Sequence, residues 1–285
     1  MANSTCTNSE IRAHCSDVEL SQMPLLRWAG SKKKLLPLLE RAAPPTMRRY
    51  IEPFAGSAVL YLKLRPKSAI LSDINEDLIH TYTLVRDNPD AVWRKAAFWP
   101  TDEAFYYELR AADPSAMSDK DRAARFVYLN RFCFNGVYRT NREGRFNVAR
   151  GKGHLGIPTR QMFRAFAKRL QVVDLRCADF LTTVKRAGNG DFVYLDPPYA
   201  VPHTRDRGEY GLGSFKQEDV DRLTEGLLAA SQRGAKVLLS YSDRLEVEDR
   251  FRGWQVRRLE VTRNVCGFVG SRRRAGEVLV SNYAW

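Results

Sequence analysis

Short apolar runs that alternate with helical patterns are the feature that most constrains the fold of this chain. Four such runs are rich in branched aliphatic and aromatic residues and end in polar loops, at residues 49–51, 69–71, 192–195 and 237–240. Their length and composition are typical of buried parallel strands. Helical periodicity follows several of them, at residues 58–64, 76–86 and 217–230. This alternation predicts a mostly parallel α/β sheet, with an antiparallel pair at its end formed by residues 255–261 and 277–281.

The pattern changes in the middle of the chain. Between about residue 75 and residue 170 the strand signals stop and helical periodicity takes over, except in a Gly- and Arg-rich stretch at 135–158 that predicts loop or hairpin. A chain of 285 residues is long enough for a large core with a smaller unit inserted in it. We therefore predict three parts: a flexible tail at 1–22, a core built from 23–75 and 170–285, and an inserted helical domain at 76–169.

Positive charge is concentrated in two segments of a chain whose net charge is +13. Residues 131–170 carry +9 and residues 250–274 carry +7, which leaves −3 for the rest of the chain. A surface that binds a polyanion needs charge gathered in this way, because each phosphate that is neutralised releases counterions. Nucleic acid is the favoured partner, and a membrane surface, an acidic protein or a merely solvated basic surface are the alternatives.

Several classes of protein are not expected. The five cysteines are scattered, with no CxxC pair and no histidine partner at metal-ligand spacing, which predicts a reduced cytoplasmic protein with no metal site. No stretch approaches the ~20 apolar residues that a membrane span needs, and residues 1–22 lack the layout of a signal peptide. The chain also lacks a Pro-Cys pair for attack on a pyrimidine ring, a Gly-x-Ser-x-Gly elbow and a phosphate-binding GxxxxGK(S/T) loop.

A turn of small residues follows the first predicted strand, within residues 51–58. A nucleotide-like group can approach such a turn closely, which makes Phe54, Gly56 and Ser57 candidate contacts for a cofactor. Asp73 ends the next strand, where a carboxylate can accept hydrogen bonds from both hydroxyls of a ribose. The alternatives are a turn with a structural role only, and Asp73 as the N-terminal cap of the helix that follows.

The sequence Asp196-Pro197-Pro198-Tyr199 directly follows an apolar run and carries the sharpest chemical signal. An amino group on an aromatic base is a poor nucleophile, because its lone pair is delocalised into the ring. The Asp196 carboxylate and the Pro197 carbonyl can accept its two N–H bonds and favour a pyramidal nitrogen aimed at a methyl donor. The two prolines stiffen the turn and present no N–H, and Tyr199 offers a flat face for an extruded base. An Asp-Pro turn with a packing tyrosine is the alternative.

These motifs resemble the Dam-like family of DNA adenine N6-methyltransferases, from about residue 25 to residue 283 and in the same order. The resemblance implies a Rossmann-like, S-adenosylmethionine-dependent methyltransferase sheet with an inserted helical target-recognition domain that acts on double-stranded DNA. Residues 25–32, Leu-Leu-Arg-Trp-Ala-Gly-Ser-Lys, match the N-terminal cofactor segment of the family. The residues that the resemblance places against the cofactor are Trp28, Lys32, Asp73, Asp179, Phe180 and Asp196. Trp28 as a core indole and Lys32 as a surface lysine are the alternatives.

Residues 128–139, Tyr-Leu-Asn-Arg-Phe-Cys-Phe-Asn-Gly-Val-Tyr-Arg, and 146–148, Phe-Asn-Val, resemble the target-recognition segment of the family. In members that methylate GATC, an arginine that matches Arg139 reads a guanine, as a bidentate guanidinium can. Arg139 is therefore the leading candidate for reading a base, with a plain phosphate contact as the alternative. The candidate DNA contacts are Arg131, Asn135, Arg139, Arg142 and Arg145.

Two segments depart from the family pattern. Ala58 stands where many members have a further glycine, and residues 263–272 differ from the Ser- and Asn-rich loop of better-matching GATC enzymes. We expect adenine N6 methylation at a GATC-like site, with or without a restriction partner. Transfer to cytosine N4 or to RNA adenine uses the same chemistry and is the enzymatic alternative. A DNA-binding regulator that keeps the fold without turnover is the alternative from another class.

Overall fold

A computed structural model describes residues 17–141, 143–153, 156–199, 215–243, 247–264 and 272–285. The strands are β1 (Arg49–Glu52), β2 (Ala69–Asp73), β3 (Val173–Cys177), β4 (Asp191–Leu195), β5 (Lys236–Ser242), β6 (Gln255–Asn264) and β7 (Arg272–Ser281). They form a seven-stranded sheet in the order β3-β2-β1-β4-β5-β7-β6. Strands β1 to β5 pair in parallel, whereas β7 runs antiparallel to both β5 and β6. The predicted α/β fold class and the closing antiparallel pair are confirmed.

Strand β3 is the one that the apolar pattern did not predict in the described part of the sheet. Within its five residues only Val173 is buried, and Asp174 and Cys177 are exposed. The strand lies at the edge of the sheet and pairs with β2 alone. A strand at an edge needs few apolar side chains, and so it leaves a weak signal in the sequence.

The helices of the described residues precede β1 or lie in the connections between the strands. They are α1 (Asp17–Leu20), α2 (Leu36–Ala42), α3 (Val59–Leu64), α4 (Glu76–Asp87), α5 (Pro89–Phe98), α6 (Glu103–Ala111), α7 (Asp119–Phe132), α8 (Arg160–Leu170), α9 (Phe180–Val184), α10 (Gln217–Gln232) and α11 (Val247–Arg250). The three predicted helices correspond to α3, α4 and α10, with bounds that differ by one or two residues. Helices α4 to α8 all lie between β2 and β3, where the periodicity predicted helix.

The sheet packs on both faces, because alternate residues of a strand point to opposite sides. On one face Tyr50, Phe192 and Leu238 join a core that also contains Tyr82 from α4 and Phe166 from α8. The other face buries a second set of strand residues against α9 and α10; they include Ile51, Val193, Leu195, Val237 and Leu239. Helices α4 and α8, at the two ends of the predicted insert, are thus packed on the sheet.

The middle of the predicted insert has a small core of its own. Tyr106 from α6 and Tyr128 and Phe132 from α7 pack there with Val148 from the loop that follows. The Tyr106 hydroxyl donates to the Val148 carbonyl at 3.0 Å, which fixes that loop on the helices. Two isolated antiparallel bridges, Cys133 with Arg150 and Thr140 with Phe146, give the loop a hairpin-like form.

The predicted flexible tail at residues 1–22 falls mostly outside the described residues. Its last part is placed on the protein, since α1 packs against α8 and Leu20 is 8% exposed. No helix in the described ranges is long and apolar enough to cross a membrane.

Candidate active site

The carboxyl ends of three neighbouring strands open into one pocket. Strands β2, β1 and β4 are adjacent in the sheet, and they end at Asp73, Glu52 and Leu195, the last of which precedes Asp196. The pocket has a volume of about 720 Å³. Clefts at this edge of a parallel sheet are where α/β proteins bind ligands. All predicted catalytic and cofactor residues line it, namely Trp28, Lys32, Phe54, Gly56, Ser57, Asp73, Asp179, Phe180, Asp196, Pro197, Pro198 and Tyr199.

The turn after β1 owes its shape to Gly56, whose φ is +43°. A side chain at this position would be strained, and its Cβ would lie 2.7 Å from Cδ1 of the Trp28 indole. The indole therefore sits directly on the turn, and is not enclosed in the core. Ala58, one of the departures from the family pattern, also has a left-handed backbone, with φ of 52°. That geometry explains why glycine suits the position, although alanine adopts it at a modest cost.

Asp73 braces the same turn from the other side. Its carboxylate accepts from the backbone N–H of Gly56 at 3.1 Å and of Asn75 at 3.0 Å. Burial raises the pKa of the Asp73 carboxyl, and these backbone hydrogen bonds oppose the shift. The cap of α4 is Asn75, whose side chain accepts from Leu78 N at 3.0 Å. The alternative role of Asp73 as that cap is thereby excluded.

Aromatic side chains form one wall of the pocket. Phe54 stacks on Phe180 with ring centroids 5.4 Å apart, and both rings also contact Phe215. Asp179 caps α9 by accepting from Leu181 N at 2.9 Å, and it pairs with Arg222 at 2.9 Å. The wall can thus accept a flat ring against apolar surface with a carboxylate beside it.

A buried ammonium group joins the predicted catalytic motif, residues 196–199, to the sheet. Lys32 is 8% exposed, and its Nζ lies 2.7 Å from Asp196 Oδ1, 3.1 Å from Tyr199 Oη and 3.1 Å from Glu277 Oε1. Burial lowers the pKa of Lys32, but attraction from Asp196, Tyr199 and Glu277 outweighs this, and the pKa ends well above its ordinary value. Lys32 therefore stays charged, and the alternative of a surface lysine is excluded.

Sequence reasoning missed three acidic residues of this pocket, Glu52, Asp219 and Glu277. Glu52 is 3% exposed, and its Oε2 has no hydrogen-bond partner in the described part of the chain. Burial raises the pKa of the Glu52 carboxyl well above its usual range; the approach of the Tyr50 hydroxyl opposes the shift, and the charges of Asp196 and Asp73 add to it. A carboxyl in this environment favours its protonated form. For Glu52, the signal in the sequence was an acidic residue at the end of an apolar run.

Replacing Glu52 by glutamine is expected to stabilise the protein at alkaline pH. A carboxyl whose folded pKa is raised contributes stability that is present below its unfolded pKa and is lost as the pH rises through its folded pKa. Glu52→Gln removes that loss, so its melting temperature should exceed that of the wild type by about 2–4 °C at pH 8 and converge with it near pH 4.5. Thermal unfolding followed by circular dichroism from pH 4.5 to 8.5 measures this difference.

Glu40→Gln is the matched control, because the Glu40 side chain is 45% exposed and its ion pair with Lys63, at 3.4 Å, is a surface pair of small energy. Its melting temperature should follow that of the wild type across the range. If Glu52→Gln does the same, Glu52 is ionised without penalty and the interpretation of its burial is wrong.

The predicted target-recognition segment is attached directly to the pocket wall. Asn130 on α7 is 4% exposed, and its side-chain amide accepts from the backbone N–H of Arg27 at 2.8 Å and donates to the Arg27 carbonyl at 2.7 Å. The next residue, Trp28, stacks on Tyr138 with centroids 6.0 Å and planes 14° apart. Arg139, the candidate base reader, thus follows a residue that touches the pocket wall.

The five candidate DNA contacts fall into different environments. Arg139 is half-buried, and its guanidinium donates through Nε to Asn147 Oδ1 at 2.8 Å and through Nη2 to the Asn147 carbonyl at 3.4 Å. Asn135 is exposed, with φ of 55°, and the Arg145 side chain is 73% exposed. Arg142 lies outside the described residues.

Arg131 differs from the expectation of an exposed DNA contact. It is 5% exposed, and its Nε donates to the Gly156 carbonyl at 2.9 Å. The cause is that α7 is buried on all sides from Ala123 to its end. The basic cluster and the family resemblance that suggested Arg131 do not distinguish buried from exposed side chains, and Arg131 is not among the proposed DNA contacts.

The sheet has the strand order of a Rossmann-like methyltransferase fold, with β7 antiparallel to its neighbours. Its pocket lies at the carboxyl edge of the parallel strands. Residues 28–265 match the model of a family described as D12 class N6 adenine-specific DNA methyltransferase. The match covers most of the chain, and the protein therefore belongs to this family of DNA-modifying enzymes. Within the described residues no group of His, Cys, Asp or Glu side chains is placed to hold a metal ion.

Relatives of similar length support this assignment. A type II methyltransferase of Lactococcus lactis subsp. cremoris is 30% identical over 275 residues, which cover 93% of this chain and 97% of the relative. A type II methyltransferase of Methanocaldococcus jannaschii is 32% identical, with 91% and 99% covered. The DNA adenine methylase of Escherichia coli (strain K12) is 30% identical, with 89% and 93% covered. The superposition with the solved structure of an rRNA methyltransferase of Streptomyces viridochromogenes covers 97% of this chain and 93% of that chain, at 16% sequence identity. Its TM-score of 0.40 is too low to support a conclusion.

Proposed function

We propose that the protein transfers a methyl group from S-adenosylmethionine to N6 of an adenine that is flipped out of duplex DNA, at a GATC-like site in the cytoplasm. The observation that carries the proposal is that the sequence from Asp196 to Tyr199 shares one pocket with the glycine turn at Gly56 and the carboxylate of Asp73. A group that accepts amino N–H bonds therefore lies beside a site suited to a nucleoside.

The pocket suits S-adenosylmethionine in chemistry as well as in size. Asp73 is the acceptor for the ribose hydroxyls, and the rings of Phe54 and Phe180, with Asp179, are the wall for the adenine of the cofactor. Trp28 and Lys32 close the side opposite this wall in the proposal, and Asp196 lies near the methionine end. When bound, S-adenosylmethionine supplies a methyl group on a positively charged sulfur.

Asp196 and Pro197 are assigned the task of activating the target nitrogen. The Asp196 carboxylate and the Pro197 carbonyl accept the two N–H bonds of the amino group, so that its lone pair is directed to the methyl group in line with the bond that breaks. Asp196 is too weak a base to deprotonate the neutral amino group first. After transfer the nitrogen is cationic and acidic, and it loses its proton to this carboxylate or to water.

Tyr199 is assigned the role of a platform for the flipped base. Its hydroxyl accepts from Lys32 at 3.1 Å, and its ring meets the Tyr241 ring edge-on at 5.2 Å. Both contacts limit the rotation of the ring, and an ordered aromatic face lowers the entropy cost of stacking an extruded base.

Residues 76–169 are proposed as the target-recognition domain.

The experiment that tests the whole proposal is expression in a host that lacks adenine methylation, followed by single-molecule sequencing of its genome. N6-methyladenine at GATC would support reaction, substrate and specificity together. Marks at another short motif would overturn the specificity, and cytosine N4 marks would overturn the target base. Soluble protein without any mark on DNA would favour an RNA substrate or a binder without turnover.

Arg139 should determine sequence preference more than overall affinity. Asn147 occupies the Nε and Nη2 side of its guanidinium, which leaves the Nη1 end available for a bidentate contact with a guanine. Arg139→Ala should lower kcat/KM on the preferred site by about 10- to 100-fold relative to a site with one base pair changed. Steady-state methylation of the two duplexes measures this ratio.

Arg145→Ala is the matched control, since it removes an exposed arginine from the same segment. It should weaken binding to both duplexes equally and reduce the slope of log affinity against log salt by about one. If Arg139→Ala behaves in this second way, Arg139 contacts a phosphate and does not read a base.

A further inference from the structure

Glu277 is a buried acidic residue of the pocket that has no role in the chemistry proposed above. It lies on β7, is 2% exposed, and faces the pocket from the far end of the chain. A buried carboxylate among apolar strand residues is costly unless it is paired and hydrogen-bonded. Its neighbours Val278, Leu279 and Val280 are all buried and apolar, and so ordinary packing does not explain an acid there.

The partners of Glu277 connect it to the catalytic motif. Its Oε1 accepts from Ser240 Oγ on β5 at 2.5 Å and lies 3.1 Å from Lys32 Nζ. The same ammonium lies 2.7 Å from Asp196 Oδ1. An ammonium has three donors, and Asp196, Tyr199 and Glu277 provide three acceptors within 3.1 Å. Lys32 is therefore held in one place, and through it so is Asp196.

Glu277 also changes the charge that the pocket presents. Lys32 with Asp196 alone would be a neutral pair, and a neutralised carboxylate attracts a cation weakly. With Glu277 included, the cluster of Lys32, Asp196 and Glu277 has one positive and two negative groups and a net charge of −1, and within it Lys32 and Glu277 are shielded from water. Charges that are shielded from water interact over longer distances than charges on the protein surface do.

We propose that Glu277 is a positioning residue of the methyl-transfer site, which holds Lys32 against Asp196 and keeps the site net negative toward a cationic sulfonium. The inference rests on the proposed function, because it assumes that S-adenosylmethionine is the ligand. Ser240 supports it by fixing the Glu277 carboxylate through the sheet.

The test compares two ligands that differ in charge at one atom. S-adenosylmethionine carries a sulfonium, whereas S-adenosylhomocysteine carries a neutral thioether in its place. Isothermal titration calorimetry of the full chain gives the dissociation constant of each. Glu277→Gln keeps the shape and removes the charge, and it should weaken S-adenosylmethionine by about tenfold while changing S-adenosylhomocysteine by less than about twofold, as expected for one charge lost within about 10 Å.

Glu260→Gln is the matched control. It makes the same substitution on β6, at an exposed residue whose register partner is Gly276, next to Glu277. The ratio of the two dissociation constants should stay at the wild-type value. A second variant, Glu277→Asp, keeps the charge but shortens the reach to Lys32; it should preserve the ratio and lower kcat several-fold with KM for DNA unchanged.

The outcomes separate the two proposals. Wild-type protein that binds neither ligand would refute the proposed function itself. If both ligands bind and Glu277→Gln weakens them equally, Glu277 does not set the charge of the site. Should Glu277→Gln fail to fold, Glu277→Asp decides alone, and a wild-type kcat in that variant would overturn the positioning role.

Discussion

Asp196→Ala is expected to lower the rate of methyl transfer by about 10³-fold while DNA binding stays within a few-fold of the wild type. The substitution removes the acceptor that keeps the amino group pyramidal, and the loss of one preorganised hydrogen-bonding group of this kind typically costs 10²–10³ in rate. Removal of the charge that faces the developing cation adds to the loss. Single-turnover transfer of a labelled methyl group measures the rate, and fluorescence anisotropy with a duplex measures DNA binding.

The fold should survive the loss of Asp196. Lys32 keeps Glu277 and Tyr199 as partners, at 3.1 Å each, so the variant does not leave the ammonium unpaired. Asp196→Asn is the informative companion, since it keeps one carbonyl acceptor but loses the charge. The rate of methyl transfer in Asp196→Asn should be about as low as in Asp196→Ala. The base itself should be better positioned in Asp196→Asn, because the amide oxygen still accepts one N–H bond. Turnover within about tenfold of the wild type in Asp196→Ala would refute the assigned role.

Much of the fold was predictable because buried parallel strands are continuous apolar runs. The four runs that end at or near Ile51, Leu71, Leu195 and Ser240 correspond to β1, β2, β4 and β5. The register of β3, by contrast, depends on hydrogen bonds to β2 and hardly on its own side chains, of which only Val173 is buried. A sequence pattern records side-chain burial, and so it cannot detect a strand that is held mainly by its backbone.

The residues of the candidate site likewise fall into those that a local sequence pattern predicts and those that it does not. The residues from Asp196 to Tyr199 and the turn at Gly56 are local sequence features, and the structure places them in one pocket. Glu277 reaches that pocket only because β7 inserts beside β5, which no local pattern encodes. Arg131 is the opposite case, since a count of charges along the chain does not record that α7 is buried on all sides from Ala123 to its end.

Trp28 lies between the proposed cofactor site and the proposed target-recognition segment. Its indole rests on the turn at Gly56 and stacks on Tyr138, the residue before Arg139. The backbone of Arg27 is held by Asn130 through two hydrogen bonds. A shift of the recognition segment therefore cannot occur without moving a wall of the pocket, which links base reading to the place where the methyl donor is proposed to bind.

Lys32→Met is expected to lower the free energy of unfolding by about 2–4 kcal/mol, because it removes the ammonium from a buried cluster that contains two carboxylates. Methionine fills similar space, so the loss is mainly electrostatic. A lysine whose folded pKa is raised contributes stability that is present below its unfolded pKa and is lost only as the pH rises through its folded pKa. The contribution of Lys32 is therefore fully present from pH 6 to 9, where urea unfolding curves measure the deficit, and methyl transfer should fall with it.

The double variant Lys32→Met/Glu277→Gln distinguishes an unbalanced charge from lost packing. If uncompensated negative charge causes the deficit, removing the charge of Glu277 as well should restore about half or more of the lost free energy, since the Glu277 side chain is 3% exposed, whereas that of the remaining carboxylate, Asp196, is 21% exposed. Packing defects would instead add, and the double variant would be less stable than either single one. Stability regained without recovered methyl transfer would show that the cluster is kept to hold Asp196 in place, since Asp196 alone leaves the net charge at −1, as in the wild type.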